Sequence, residues 1–264
     1  MLERFLGVTF DRYVSLVAVL TGRYVKVRYR GSVLGIFWSV LNPLIMTTLY
    51  TLIFGKAFRG YYGSSVFDYL FAVFVGLVVM NYFSTATGQA LHSIVVNGLL
   101  LNKMRVPFSV FPIATVISNS VQFVVGVIPL LVIIALVVAH NPLGIPFLIP
   151  PLIALALVTV GVSMFVAAAY VFFRDVPHIY ELVTFAIFIA TPVFYPIGIV
   201  DPRFRPLVQW SPLSLIVQQI RDVVVTHQLP PPTEILASLA WGIVIFVGGW
   251  AVFVRSSRRF MDYL

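Results

Sequence analysis

No cysteine occurs in the 264 residues, which excludes disulfide frameworks, cysteine-ligated zinc and thiol nucleophiles together. Charge is almost as scarce: ten per cent of the chain is charged, against roughly 25% in a water-soluble domain, so a soluble fold lacks the polar surface it needs. Acids are the scarcer sign, with nine Asp and Glu against 17 Lys and Arg. Metal and nucleophile patterns are missing too. His92, His140, His178 and His227 are scattered without ligand spacing, and neither an HExxH nor a nucleophile-elbow motif is present. There is no Walker A loop, because Gly55-Lys56 is the sole Gly-Lys pair and Tyr50 stands where the first glycine belongs. The chain therefore has no means of its own to hydrolyse ATP by that mechanism. The early apolar run 13–22 is bracketed by charge and lacks a small-residue cleavage pattern, so the N-terminus does not read as a cleaved signal peptide.

What the chain has is apolar length: 60% of its residues are hydrophobic. A helix needs about 20 apolar residues to cross hydrocarbon, and six stretches qualify, at 33–54, 69–91, 108–138, 147–172, 182–200 and 235–254. The third and fourth come from 68 consecutive uncharged residues between Arg105 and Arg174, divided at His140-Asn141-Pro142. With the N-terminus inside, twelve basic residues fall on the cytoplasmic side and five on the other, Lys56, Arg59, Arg203, Arg205 and Arg221. The positive-inside rule then places both termini in the cytoplasm. Topology accounts for the +8 charge, and no nucleic-acid partner is needed.

Two segments do not read as spans. Within 1–32, Leu16, Leu20, Tyr24 and Val27 recur at helical spacing while Arg23, Lys26 and Arg30 share another face, the pattern of an amphipathic helix in the membrane interface. A basic flank of the first span obeying the positive-inside rule would look similar. Segment 206–220 is uncharged but short, with two prolines, two serines and three glutamines. Next to Pro192, Pro196 and Pro202 it reads as re-entrant helices and a candidate gate, tolerable where protein or water satisfies the backbone.

Every Asp and Glu lies at or beyond a span boundary in this reading, which disfavours coupling to an ion gradient. Uncharged polar groups do enter the spans. Asn81, Ser84 or Thr85, Gly88, Gln89 and His92 recur along the second, and Ser39, Asn42, Thr47, Thr48 and Thr51 along the first. Such faces serve either helix–helix hydrogen bonding or a watery path. With the interleaved Trp38, Tyr50 and Tyr82, the candidate path residues are Trp38, Asn42, Tyr50, Asn81, Tyr82, Ser84 and Gln89. Between the second and third spans, Leu99, Leu100, Leu101 and Met104 are too few to cross but apolar enough to fill a cleft on a partner, with Lys103 and Arg105 on its rim.

Residues 28–43, RYRGSVLGIFWSVLNP, resemble the N-terminal signature of ABC-transporter permeases that export lipid-linked polysaccharides, the O-antigen (Wzm-like), capsule and teichoic-acid exporters. The matching residues are Tyr29, Arg30, Ser32, Leu34, Gly35, Trp38, Leu41 and Pro43. Weaker matches are Phe173-Arg174-Asp175-Val176 and Ser211-Pro212-Leu213 with Arg221, where Ser211 replaces the family's frequent Asn. The resemblance implies a homodimer of this subunit in a bacterial inner membrane with two copies of a cytoplasmic ATPase. ATP and Mg belong to that ATPase, and no cofactor to this chain. It also implies that the segment between the second and third spans is a coupling helix, and that the substrate is a glycan on an undecaprenyl-type lipid. An uncharged channel of aromatic rings and amide or hydroxyl groups suits such a polymer, since sugars offer both apolar CH faces and hydroxyls.

The expected fold is thus an all-α integral membrane protein with one permease domain over 1–264. Residues 1–32 form the interfacial helix, 33–254 the six-helix region with re-entrant helices between the fifth and sixth spans, and 255–264 a cytoplasmic tail. Efflux of a drug or lipid by a related permease is the nearest alternative. A membrane-embedded acyl- or glycosyltransferase is another, though no acidic or histidine cluster near a membrane face supports it.

Overall fold

Hydrophobic length dictates the architecture, and the structure, a computed structural model, describes residues 9–31, 35–62, 65–103, 106–138, 140, 142–226 and 228–263. Among the described residues all regular structure is helical. Five segments are long and apolar enough to cross a membrane: Trp38–Tyr61, Val66–Val96, Val110–Val137, Pro142–Phe172 and Pro232–Ser257. They correspond to the first four and the last of the six stretches expected from sequence.

Helix α1 (Phe10–Tyr29) precedes the first span, α2 (Trp38–Phe58). The chain turns between them through Gly31 and Gly35, at φ 78° and 48°, a region glycine enters without the Cβ penalty. Helix α3 (Val66–Val96) starts on a cap in which Ser65 Oγ accepts from the Phe67 N–H and Asp68 Oδ2 accepts from the Ser65 N–H. A six-residue helix, α4 (Gly98–Lys103), follows. The third span is two helices, α5 (Val110–Gly126) and α6 (Ile128–Val137), broken where Pro129 removes a backbone donor. Then come α7 (Ile149–Phe172), α8 (Val176–Ala190), the short α9 (Arg205–Gln209), α10 (Pro212–Val224) and α11 (Pro232–Ser257).

The expected fifth span needs correction. Its helix is Val176–Ala190, 15 residues, beginning earlier and ending earlier than 182–200. Pro177 sits in its first turn and Pro192 holds Thr191 extended at ψ 131°, so prolines set both ends. The charge-free criterion had placed Glu181 outside the span, whereas it lies within this helix.

Helix α3 is central, packed on α2, α5 and α7. Its buried residues join α6, α7 and α10 in one core that includes Phe74, Leu131, Leu155 and Ile216. Helices α7 and α11 approach so closely that a Cβ on Gly249 would lie 2.0 Å from the Gly161 carbonyl oxygen, the small-residue contact by which membrane helices associate. A second core closes one end: Phe260, fully buried, packs edge-on to Phe108 and Phe253 at 5.2 and 5.4 Å. The residues after Ser257, expected as a tail, are thereby fastened to the bundle.

Helix α1 lies along α5 from the Tyr13–Ser109 hydroxyl contact (3.0 Å) to the bond from Arg28 Nη1 to Asn119 Oδ1 (3.0 Å). Leu16, Leu20 and Tyr24 pack with Val110 and Ala114. Val27, assigned to the same face, is instead 62% exposed.

Candidate functional site

A groove of about 400 Å³ opens between α2, α3 and α8. Helix α2 contributes Asn42, Pro43 and Met46, helix α3 Leu77, Met80, Asn81 and Ser84, and helix α8 Tyr180, Glu181, Thr184, Phe185 and Phe188. Each set repeats at intervals of three to four residues, one stripe per helix. Tyr180 tethers α8 to α3, since its hydroxyl meets Thr87 Oγ1 and donates to the Ser84 carbonyl at 3.4 Å. Thr85 Oγ1 donates to Asn81 Oδ1 at 3.2 Å, holding that amide at the groove wall.

A smaller cavity, about 40 Å³, lies behind Asn81 among Ser39, Tyr82, Thr85, Asn119, Gln122 and Phe123, polar and roomy enough for ordered water. On this side Tyr82 bonds Ser120 at 2.7 Å and packs on Phe123 at 4.9 Å. Gln89 Oε1 accepts from Arg28 and, at 3.0 Å, from Asn119 Nδ2. Arg28 also bonds Gln122.

Of the seven candidate path residues, Asn42, Asn81 and Ser84 therefore share the groove, whereas Tyr82 and Gln89 turn toward α5. Trp38 opens α2 half-exposed. Tyr50 stacks on Phe194 at 5.1 Å, in a ladder continued by Phe54 and Phe58. The fifth span is expected from sequence to line the path with the first two, but none of the α8 side chains in the groove is among the candidate path residues. The available signal was Pro177 as a helix start, which puts Tyr180, Glu181, Thr184, Phe185 and Phe188 on one stripe.

Beyond the groove, the chain leaving α8 is clamped by Arg221 of α10. This guanidinium, 2% exposed, donates to the carbonyls of Ala72 (2.8 Å), Pro192 (2.7 Å) and Val193 (2.5 Å) and lies 5.4 Å from the Tyr62 ring centroid. Tyr69 and Tyr62 hydroxyls donate to the Phe194 and Tyr195 carbonyls at 2.7 and 3.0 Å. The proline-flanked segment 192–196 thus has its carbonyls satisfied although it is not helical. Arg221, counted by sequence with the surface charges of the outer side, is an interior residue.

In the segment expected to dock a partner, Leu99 is 81% exposed but Leu101 is buried in the second core at 6%. Leu101 therefore faces inward and is not free to fill a partner's cleft. Leu100 and Lys103 lie on α4, while Met104 and Arg105 fall outside the described residues. In the signature stretch, Tyr29 ends α1, Arg30 follows it exposed, Gly35 makes the turn, and Pro43 is buried inside α2. Ser32 lies outside the described residues.

Residues 15–225, from α1 through α10, match the family described as ABC-2 type transporter. The chain belongs to that family. Proteins similar to it over nearly their whole length include an "O-antigen export system permease protein RfbA" of Myxococcus xanthus. It is 30% identical over 254 residues, covering 95% of this chain and 96% of the relative. Two proteins of the same name from Klebsiella pneumoniae are 29% and 27% identical, each over 98% of this chain and 97% of theirs. The ABC-2 match encloses every groove residue and the Arg221 clamp, so both are parts of the multi-pass transporter core.

Proposed function

We propose that this chain is the membrane-spanning subunit of an ABC exporter that moves a lipid-linked, O-antigen-like polysaccharide across a bacterial inner membrane. The observation that carries the reading is similarity to O-antigen export permeases over 95% or more of both chains. The groove fits it. Aromatic rings of Tyr180, Phe185 and Phe188 offer faces to sugar CH groups, and Asn42, Asn81 and Ser84 offer hydrogen bonds.

Energy comes from a separate ATPase that holds ATP and Mg, and the working complex is a homodimer of this subunit with two ATPase copies. Helix α8 makes the fifth of six crossings together with the extended residues after it; 15 residues rise only about 22 Å, and the non-helical stretch to Pro196 supplies the remainder. Both termini then lie in the cytoplasm. Helix α1 lies in the interface beside α5, α9 and α10 form the re-entrant cap, and the segment between the second and third spans docks the ATPase through Leu99, Leu100 and Lys103 of α4 and through Met104 and Arg105 after it. Export follows the α2–α3–α8 groove past Asn42, Asn81 and Ser84 toward the Tyr50–Phe194 ladder, with Trp38, Tyr82 and Gln89 in supporting positions.

Deleting the gene in its own host tests this. Surface glycan should vanish while lipid-linked glycan accumulates at the cytoplasmic face, and re-expression should reverse both. Normal surface glycan in the deletion strain would refute the reading. Leu99→Asp should release the ATPase on co-purification, and an intact, fully active complex would move docking elsewhere.

A further inference from the structure

Among the described residues Glu181 is the single ionisable acid or base besides the Tyr180 phenol lining the groove, and no Lys, Arg or His lines it. Among the described residues its carboxylate has no hydrogen bond or ion pair. One turn along, Thr184 lines the same groove, its Oγ1 buried and without a hydrogen-bond partner among the described residues. The rest of the wall is uncharged, and much of it is apolar: Met46, Leu77, Met80, Phe185 and Phe188. An ionisable group inside a membrane helix is costly to keep there without a use. Neither ion coupling nor architecture uses this one: it stands alone without a second acid, and it ties α8 to nothing. Tyr180 makes that tie.

A carboxylate is an acceptor only, so it reads donors. Sugar hydroxyls are donors, and their bonds to a charged oxygen are shorter and stronger than neutral ones. For a polymer carrying a carboxylate or phosphate in each repeat the interaction reverses sign. Like charges repel, no basic residue among the described lining residues offsets the repulsion, and the chain meets it again at every repeat.

We infer that Glu181 is a charge filter that selects neutral polyhydroxy glycans and excludes acidic ones. This rests on the export reading above and narrows its substrate class to chains without an acidic group in the repeat.

The test uses the full permease co-expressed with its ATPase in two host strains that differ only in the lipid-linked polymer they build. One makes a polymannose chain, the other a chain with glucuronic acid in each repeat. Surface display is measured against the accumulated lipid-linked pool, and recovery of the permease–ATPase complex is measured beside it. The native protein should favour the neutral chain by about tenfold or more. Glu181→Gln, nearly isosteric, should bring the ratio toward one by admitting the acidic chain, and Glu181→Lys should favour the acidic chain. Equal display of both polymers by the native protein, or an unchanged ratio in the Gln variant recovered at native levels, would overturn the filter. Display of neither polymer by a recovered, ATP-hydrolysing complex would instead sink the export reading itself.

Discussion

Two short helices of similar length have opposite fates. Helix α10 buries eleven of its 13 residues, whereas α8 buries none of its 15. In water the more apolar helix would be inside, yet α8 is the more apolar of the two and exposes Ile179, Leu182 and Phe185 at 58–73%. Lipid removes the reason to hide a leucine and leaves the reason to hide a polar group. Helix α10 carries Gln218, Gln219, Arg221 and Asp222, so it is the one surrounded by protein. Gln218 Nε2 donates to Asp222 Oδ1 at 2.8 Å, Gln219 Nε2 to the Glu234 carbonyl at 2.9 Å, and Arg221 to three further carbonyls. Helix α8 has one charged residue, Glu181, and turns it to the groove. One helix is a structural plug and the other a loosely held wall.

The largest effect should come from the plug. Arg221→Met leaves the carbonyls of Ala72, Pro192 and Val193 without donors in a dry site, at a cost of about 3 kcal/mol or more. Poor recovery and a much lower Tm of the detergent-purified protein are expected, and Arg221→Lys should recover little because one ammonium cannot span three carbonyls on two elements. A native Tm for the Met variant would mean the clamp is dispensable. Next, Ile216→Ala on α10, fully buried, should cost about 2 kcal/mol or more. Leu182→Ala on α8, 73% exposed, should stay within about 0.5 kcal/mol. Similar losses at the two positions would erase the distinction between plug and wall.

Function should show the reverse ranking. Asn81→Trp puts an indole into a groove of about 400 Å³, so surface glycan should fall about tenfold or more, while complex recovery and Tm stay near native because the added bulk enters open space. Normal display from that variant would move the path elsewhere. The smallest effect concerns Asp222, whose carboxyl is pushed up to about 6 by burial, with Glu234 adding to the rise and Gln218, Thr226 and Arg221 opposing it. Because the folded chain holds this proton more tightly than the unfolded one, its contribution is present below the ordinary carboxylate range and is lost as pH rises to about 6. The Tm of Asp222→Asn should therefore gain on the native protein as pH goes from 4 to 7; a difference independent of pH would show that the residue does not titrate in this window.

The long spans were legible because crossing hydrocarbon is a local requirement: about 20 residues without charge, read directly along the chain. Helix α8 was misplaced because the same criterion excludes a helix with a charge inside it, and Glu181 displaced its start from Val176 to the next residue after the acid. The polar stripe of α3 was legible as a stripe, but its division was not. Asn81 and Ser84 face the groove while Tyr82 and Gln89 meet Ser120, Asn119 and Arg28, and only the position of α5 separates them. Leu99 and Leu101 are equivalent in composition and opposite in exposure for the same reason, since Phe260 and its neighbours, far along the chain, cover one and not the other.

By itself, then, the sequence determined that this is a helical membrane protein without an ATP loop, where its long spans run, and which family signature it bears, because each is a property of composition or spacing within about thirty residues. Tertiary structure decided that Arg221 is an interior clamp and not a surface charge, that Glu181 lines a groove, and which half of each polar stripe lines that groove. Those outcomes depend on carbonyls and helix faces brought together from Ala72, Val193 and Tyr180, and partners 28, 96 and 149 residues apart leave no trace in local pattern.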